Sequence, residues 1–199
     1  MKMIVVAIGG ASGAIYGVRL VRWLIKNGYG VDFLISSAGR KIFAYEIGEV
    51  PESEEGWRKF FEDENNLLKY YDENDFSAPL ASGSAKRDAM VIIPCSMGLV
   101  GRIANGISSN LIERCADVML KESRPLVIVF RESPLNLIHL RNLLQLKEAG
   151  AIIMPASPGF YFKPKTIDEL VDRFIGRVLK NLGIKNELEG EWGDGEKAR

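Results

Sequence analysis

The chain has few of the residues that metal sites, disulfide frameworks and catalytic triads require. It contains two cysteines, Cys95 and Cys115, and one histidine, His139. Both cysteines lie in apolar segments, which indicates a reducing compartment and leaves no set of zinc ligands. A single histidine excludes sites that need several histidine ligands and any Ser-His-Asp triad built on another histidine. We therefore expect no metal centre and no disulfide framework.

The sequence also lacks an excess of either charge and any long apolar run. Lys and Arg total 26 and Asp and Glu total 26, whereas a general nucleic-acid-binding domain normally carries a basic excess. The N-terminal apolar run over residues 3–8 is too short for a signal sequence, and no stretch reaches the roughly 18 apolar residues of a membrane span. We expect a cytoplasmic protein that binds neither nucleic acid nor membrane.

The segments that are present alternate between strand and helix patterns. Short apolar runs predict buried strands at residues 4–8, 31–36, 89–94, 126–130 and 151–154. Helical spacing predicts helices at 14–25, 40–48, 110–121, 136–148 and 166–182. The acidic segment 51–75 is interpreted as a surface helix or an excursion outside the main sheet. The alternation predicts an α/β domain over residues 1–184, with a doubly wound parallel sheet and a polar tail over 185–199.

Ligands of such sheets bind beyond the carboxyl ends of the strands, so the loops that follow the strands are candidates. Residues 9–14 read GGASGA, where small side chains admit a ligand and a helix N-terminus favours an anion. The structural alternative is a tight turn with Ser12 as a helix cap. In the loop 94–99, Ser96 offers a hydroxyl and Gly98 permits close approach. Cys95 and Cys115 fit small buried hydrophobes better than nucleophiles.

Charged and aromatic residues add to this edge. Four cations from separate segments fit a phosphate site if they converge, and otherwise lie on solvated faces; they are Arg114, Lys121, Arg131 and Arg177. Glu132 and Glu46 are acid–base candidates, although Glu46 also fits a solvated helix end. The lone His139 fits a packing or hydrogen-bonding residue. Aromatic side chains cluster in one loop, Phe160-Tyr161-Phe162, and Phe76 adds another. They could form the wall of a site for a flat ligand, a hydrophobic cover over the sheet or a subunit contact.

Ordered motifs across about residues 1–184 resemble the UbiX-type flavin prenyltransferase family. They are GGASGA, FLIS, PLASGS, MVIIPCSMG, IANGISSNLIERCADVMLKE, RPLVIVFRESPLNLIHLRNLLQLKEAGAIIMPASPGFY and GRVLKNLGI. The resemblance implies a Rossmann-like, flavodoxin-related fold and a homo-oligomer, often a dodecamer. It also implies metal-independent joining of dimethylallyl monophosphate to N5 and C6 of reduced FMN, and delivery of the prenylated FMN to UbiD-type decarboxylases.

The same resemblance assigns roles to individual residues. The matching FMN contacts are Gly10, Ala11, Ser12, Ser36, Ser96, Met97, Gly98, Leu99 and Arg131. The residues matching those that hold the dimethylallyl phosphate group are Tyr161, Arg177 and Lys121, with Arg114 in the same matching helix. Glu132 matches the acid proposed to assist phosphate departure. Glu46 matches the glutamate proposed to manage protons near the flavin, with Ser12 in that relay. Phe76 stands where relatives often carry Trp.

Two other functions are alternatives to the one that this resemblance implies. A flavin-dependent cysteine decarboxylase has a similar fold, but its chemistry uses a catalytic histidine early in the chain, whereas the histidine here is His139. A non-catalytic FMN-binding subunit would need neither a phosphate cluster nor the pair Glu46 and Glu132. The residues therefore favour the prenyltransferase.

Overall fold

A computed structural model of the chain describes residues 1–188 and shows a parallel six-stranded sheet within them. The strands are β1 (Met3–Ile8), β2 (Gly30–Ile35), β3 (Leu68–Tyr70), β4 (Ala89–Cys95), β5 (Leu126–Phe130) and β6 (Ile152–Pro155). Their order in the sheet is β3-β2-β1-β4-β5-β6, which confirms the predicted doubly wound, Rossmann-like architecture. The strand order reverses between β1 and β4, and the ligand crevice of such a sheet lies at that point.

Seven helices cover the two faces of the sheet in the described residues. They are α1 (Ala14–Lys26), α2 (Ser37–Glu46), α3 (Glu54–Phe61), α4 (Met97–Ala104), α5 (Leu111–Lys121), α6 (Leu137–Glu148) and α7 (Ile167–Asn181). Alternate residues of β1 enter opposite apolar clusters: Ile4 packs with α1, α3 and α7, and Val5 packs with α4, α5 and α6. Helices on both faces explain why the strands read as continuous apolar runs.

The acidic segment 51–75 contains helix α3, which confirms the alternative of a helix, and strand β3, which joins the sheet, so the alternative of an excursion outside the sheet was wrong. After α3 the chain forms β3, which pairs with β2 in parallel through Leu68 and Val31. Trp57 of α3 is fully buried, and its ring lies 4.7 Å from that of Phe33 on β2. The charged residues occupy the outer face of α3, and its aromatic face covers this end of the sheet.

Helix α4 lies where the sequence analysis expected only a loop. Ser96 caps the helix by accepting a hydrogen bond from the backbone N–H of Leu99 at 3.4 Å. In the first turn of this helix, Met97 and Leu99 are buried on the inner side and Gly98 is exposed. Glycines at positions 98 and 101 lower the helix propensity of this segment, which hid it from the sequence analysis.

The first residues of the predicted tail pack against the domain. The side-chain amide of Asn186 donates to the carbonyl of Gly176 at 3.1 Å, and Glu187 accepts from the indole N–H of Trp23 at 3.0 Å. The rest of the predicted tail, residues 189–199, lies outside the described residues. Among residues 1–188, no helix has the length and apolar character needed to cross a bilayer.

Candidate active site

Backbone hydrogen bonds join four of the predicted ligand loops into one surface at the carboxyl edge of the sheet. Gly9 N–H donates to the carbonyl of Pro94 at 2.9 Å, which ties the loops after β1 and β4 together. Ser36 N–H donates to the carbonyl of Ile8 at 3.0 Å, and Arg131 N–H donates to that of Cys95 at 3.1 Å. The loops after β1, β2, β4 and β5 therefore hold fixed positions relative to one another.

The glycines of these loops serve two different purposes. A Cβ added to Gly10 would lie 2.4 Å from the Cβ of Ala38, so Gly10 lets the loop after β1 approach α2. A Cβ on Gly9 would lie 2.8 Å from the carbonyl oxygen of Pro94. By contrast, Gly98 is exposed, and a Cβ there would meet only the guanidinium of Arg102, at 3.5 Å. Packing thus explains Gly9 and Gly10, while Gly98 leaves room for a ligand.

Glu46 caps helix α1, although it comes from the end of α2. Its carboxylate accepts from the backbone N–H groups of Gly13 at 2.9 Å and Ala14 at 2.8 Å. Gly13 is the N-cap residue, and no side chain of the GGASGA turn caps the helix, so the alternative of Ser12 as the cap was wrong. The sequence predicted that this helix N-terminus favours an anion, and in the structure the carboxylate of Glu46 is that anion. This arrangement places Glu46 beside the exposed Ser12.

A second carboxylate, which the sequence analysis did not identify, caps α2. Glu73 accepts from the backbone N–H of Ser37 at 2.6 Å and from the side-chain amide of Asn110 at 3.3 Å. Its own carbonyl accepts from Leu111 N–H at 2.6 Å. Glu73 therefore joins the start of α2, next to Ser36, to the start of α5. No local spacing could reveal this, since Glu73 is 36 residues from Ser37 along the chain.

The four predicted cations are spread over α5, the end of β5 and α7, and they have different neighbours. Arg131 lies exposed at the end of β5, next to Glu132, whose carboxylate accepts from Ser133 N–H at 3.1 Å. Arg114 donates to the carbonyl of Ala81, in the PLASGS motif, at 3.0 Å. Lys121 ends α5 and pairs with Glu122. Since α5 runs back toward the start of β5, Lys121 lies near the edge of the sheet opposite the carboxyl edge, away from the loops after β1, β2 and β4.

Tyr161 and Arg177 line one groove between β6 and α7, with a volume of about 1370 Å³. The ring of Tyr161 packs 4.6 Å from that of Phe162, and the guanidinium of Arg173 lies 4.6 Å above the Phe162 ring. Tyr161 is 60% exposed and Phe76 is 48% exposed, so both present aromatic surface outward. The groove thus combines aromatic walls with guanidinium groups.

The cysteines and the histidine take structural positions. Burial raises the pKa of the Cys95 thiol far above its usual range and raises that of Cys115 to about 12. A thiol with such a pKa is not a thiolate nucleophile at neutral pH, which confirms the preference for small buried hydrophobes. His139 takes the hydrogen-bonding role: its ring and backbone form a capping box with Asn136 at the start of α6.

Comparisons with known proteins assign the chain to a family. The family model described as Flavoprotein matches residues 1–179. A flavin prenyltransferase UbiX of Halalkalibacterium halodurans is 48% identical over 194 residues, which cover 95% of this chain and 92% of that protein. The chain belongs to the flavin prenyltransferase (UbiX) family of flavoproteins.

Solved structures agree with this assignment. The crystal structure of AnUbiX in complex with FMN and dimethylallyl pyrophosphate matches with a TM-score of 0.88 and 37% identity, over 96% of this chain and 97% of that one. A dodecameric FMN-dependent UbiX-like decarboxylase from Escherichia coli O157:H7 matches with a TM-score of 0.85 and 33% identity, over 96% and 99% of the two chains. The FMN-dependent cysteine decarboxylase TvaF is 16% identical with a TM-score of 0.61, a likeness of fold alone.

Proposed function

We propose that this protein is a prenyltransferase that joins the dimethylallyl group of dimethylallyl monophosphate to N5 and C6 of reduced FMN. The observation that carries the proposal is the near full-length similarity to flavin prenyltransferases, together with the fixed carboxyl-edge surface that holds Glu46 beside Ser12. The prenylated FMN would serve a UbiD-type decarboxylase. A cytoplasmic location remains a prediction from the sequence.

The carboxyl-edge surface fits FMN in chemical character. It offers the hydroxyls of Ser12, Ser36 and Ser96, exposed backbone at Gly98 and the exposed guanidinium of Arg131. These donors suit the hydroxyl, phosphate and ring oxygens of the flavin. The other proposed contacts act through the backbone, because the side chains of Ala11, Met97 and Leu99 are buried; they are Gly10, Ala11, Met97 and Leu99. When bound, reduced FMN supplies the electron-rich N5 and C6 atoms that form bonds to the allyl carbons.

Residues of the chain would handle the charges and protons of the transfer. As the allylic C–O bond breaks, Glu132 donates a proton to the leaving phosphate, and the groups at Tyr161, Arg177, Lys121 and Arg114 stabilise its negative charge. The arginine and lysine side chains among them would stabilise the leaving phosphate, as a metal ion does in other reactions that release phosphate. Closing the second bond breaks the allyl C=C bond: C6 bonds to the tertiary carbon, and the middle carbon takes up the proton that N5 releases. The proton lost from C6 passes through Ser12 to Glu46, which the α1 turn holds in place.

Lys121 lies far from the other proposed site residues of its own chain, which supports a homo-oligomer. We propose that α5 of a second copy completes each site. Arg114 and Lys121 lie on α5, and Lys121 is a helix length away from the carboxyl edge of its own chain. Helix α6 leaves four large apolar side chains at least half exposed, namely Leu137, Ile138, Leu140 and Leu144. Burial of that face against other copies agrees with the dodecameric UbiX-like relative, and a dodecamer is the proposed state.

One incubation tests the activity. The purified protein is mixed with reduced FMN and dimethylallyl monophosphate under nitrogen, with EDTA, and the released flavin is weighed by mass spectrometry. A flavin heavier by one isoprenyl unit supports the transferase and its independence of metal ions. FMN that is bound but unmodified, with the monophosphate and with the pyrophosphate, would instead favour a non-catalytic flavin-binding subunit.

A further inference from the structure

The buried carboxylate of Glu113, near the loop after β4, binds Arg102, a residue to which the family resemblance gives no role. Glu113, in the first turn of α5, is fully buried, and it accepts from the backbone N–H of Ser109 at 2.8 Å and from its hydroxyl at 2.6 Å. Its other oxygen accepts from Nε of Arg102 on α4. Burial alone would raise the pKa of Glu113, but the hydrogen bonds from Ser109 and Arg102 hold it below its usual range. Glu113 is therefore a fixed anion that orients the Arg102 side chain.

The guanidinium of Arg102 lies over the first turn of α4. Side chains of a helix lean toward its N-terminus, so Arg102 covers the residue four positions earlier, Gly98. Its Nη1 atom lies 3.5 Å from the point where a Cβ of Gly98 would be. With Nε bound to Glu113, the two Nη nitrogens have no hydrogen-bond acceptor among residues 1–188. Nη1 therefore has N–H groups to offer a ligand above Gly98, in the loop after β4 that is proposed to contact the flavin.

The start of α4 differs from the other two helix starts at this edge. Carboxylates from elsewhere in the chain cap α1 and α2, namely those of Glu46 and Glu73. The first turn of α4 has only the neutral hydroxyl of Ser96, and Arg102 adds a positive charge beside it. Glu113 balances the charge of Arg102 from the Nε side, so this helix start differs in offering the Nη1 donor beside the positive end of α4, where the described chain places no carboxylate cap.

We propose that Arg102 is a further flavin-binding residue, whose Nη groups bind a negatively charged group of reduced FMN. This inference rests on the proposed function. Two groups of reduced FMN have the required charge: its phosphate, and the N1–C2=O edge of the ring in its anionic form. A fixed guanidinium satisfies either with charge-assisted hydrogen bonds, and Glu113 acts as the positioning residue.

The test measures the dissociation constants of reduced FMN and reduced riboflavin under nitrogen. Arg102→Gln should weaken reduced FMN binding about 10- to 100-fold, as the loss of a charge-assisted contact does. Arg19→Gln is the matched control, because Arg19 also pairs with a carboxylate, Asp172, but on the face of α1 that contacts α7. Binding of reduced FMN by Arg102→Gln within twofold of the unsubstituted protein would overturn the inference.

Riboflavin, which lacks the phosphate, distinguishes the two groups. If the substitution leaves riboflavin affinity unchanged, Arg102 binds the phosphate; an equal loss with both flavins assigns it to the ring edge. Either result supports the proposal. If the unsubstituted protein fails to bind reduced FMN, the proposed function itself fails and this inference fails with it.

A double variant separates binding from folding. Arg102→Gln leaves the buried Glu113 charge unpaired and lowers stability, whereas Arg102→Gln with Glu113→Gln removes both charges together. We expect the double variant to recover thermal stability while reduced FMN binding stays weak. Recovery of both stability and affinity would show that Arg102 acts only through the fold, and would overturn the proposal.

Discussion

At the scale of single residues, Glu46 has a structural task that overlaps with its proposed chemical one. Its carboxylate accepts two backbone N–H groups at the start of α1. Glu46→Gln keeps an acceptor oxygen but removes the charge and the capacity to take up a proton. We expect a loss of about 1 kcal/mol in the free energy of unfolding and a fall of about 100-fold or more in the rate of flavin prenylation.

Thermal unfolding and single-turnover mass spectrometry of the flavin measure these two effects of Glu46→Gln separately. Glu73→Gln is a matched control, because Glu73 caps the neighbouring helix α2 in the same way but has no proposed proton to carry. If Glu46→Gln prenylates at the rate of the Glu73 variant, Glu46 is a helix cap and nothing more.

The two cysteine thiols offer another test at this scale. Burial raises the pKa values of both, that of Cys115 to about 12, so their thiolate fractions at pH 8 are very small. We expect the native protein to remain unmodified by iodoacetamide over an hour at pH 8, and the urea-unfolded protein to take up two labels, one for each cysteine. Rapid labelling of Cys95 in the native protein would contradict its position in the core.

At the scale of secondary-structure elements, strand β2 carries a buried ion pair that does not fully satisfy its carboxylate. Asp32 is 1% exposed and pairs with Arg87, yet its Oδ1 atom has no hydrogen-bond partner in the part of the chain described. Burial raises the pKa of Asp32 more than Arg87 lowers it. A raised folded-state pKa means that this side chain favours folding at low pH, and that the contribution is lost as the pH rises through that value.

The ion pair therefore predicts opposite effects for its two partners. At pH 7, Asp32→Asn should leave the free energy of unfolding unchanged or raise it, since the more deeply buried charge is removed and Arg87, with 16% of its side chain exposed, keeps contact with water. Arg87→Met should lower it by about 3–5 kcal/mol, because the buried carboxylate loses its counterion. Urea unfolding measures both values. A large destabilisation by Asp32→Asn would show that the charge pair, rather than the packing around it, stabilises β2.

The elements also show how much of the fold could be predicted from the sequence. The strands around residues 4–8 and 126–130 were predicted because an apolar run bounded by turn residues has one simple explanation in a parallel sheet. Strand β3 and helix α4 were missed or misplaced because β3 is three residues long and α4 contains two glycines. The caps at Glu46 and Glu73 link residues more than 30 positions apart, and only tertiary structure brings them together.

At the scale of the whole molecule, the candidate site is divided between two regions of the chain. Glu132 and the loops after β1, β2 and β4 lie at the carboxyl edge of the sheet, whereas Lys121 ends α5 near the opposite edge. If a second copy supplies α5, each complete site takes Glu132 from one chain and Lys121 from another. Variants defective in these two residues should then complement each other in a mixed oligomer.

Lys121→Ala and Glu132→Gln should each reduce prenylation at least 100-fold when expressed alone. In an oligomer assembled at random from equal amounts of the two chains, about a quarter of the sites pair an intact Glu132 with an intact Lys121, so about a quarter of the activity should return. Co-expression with two different affinity tags, followed by purification on both, isolates the mixed oligomers. Activity no greater than that of the single variants would mean that both residues act within one chain, and that the site closes without a neighbour.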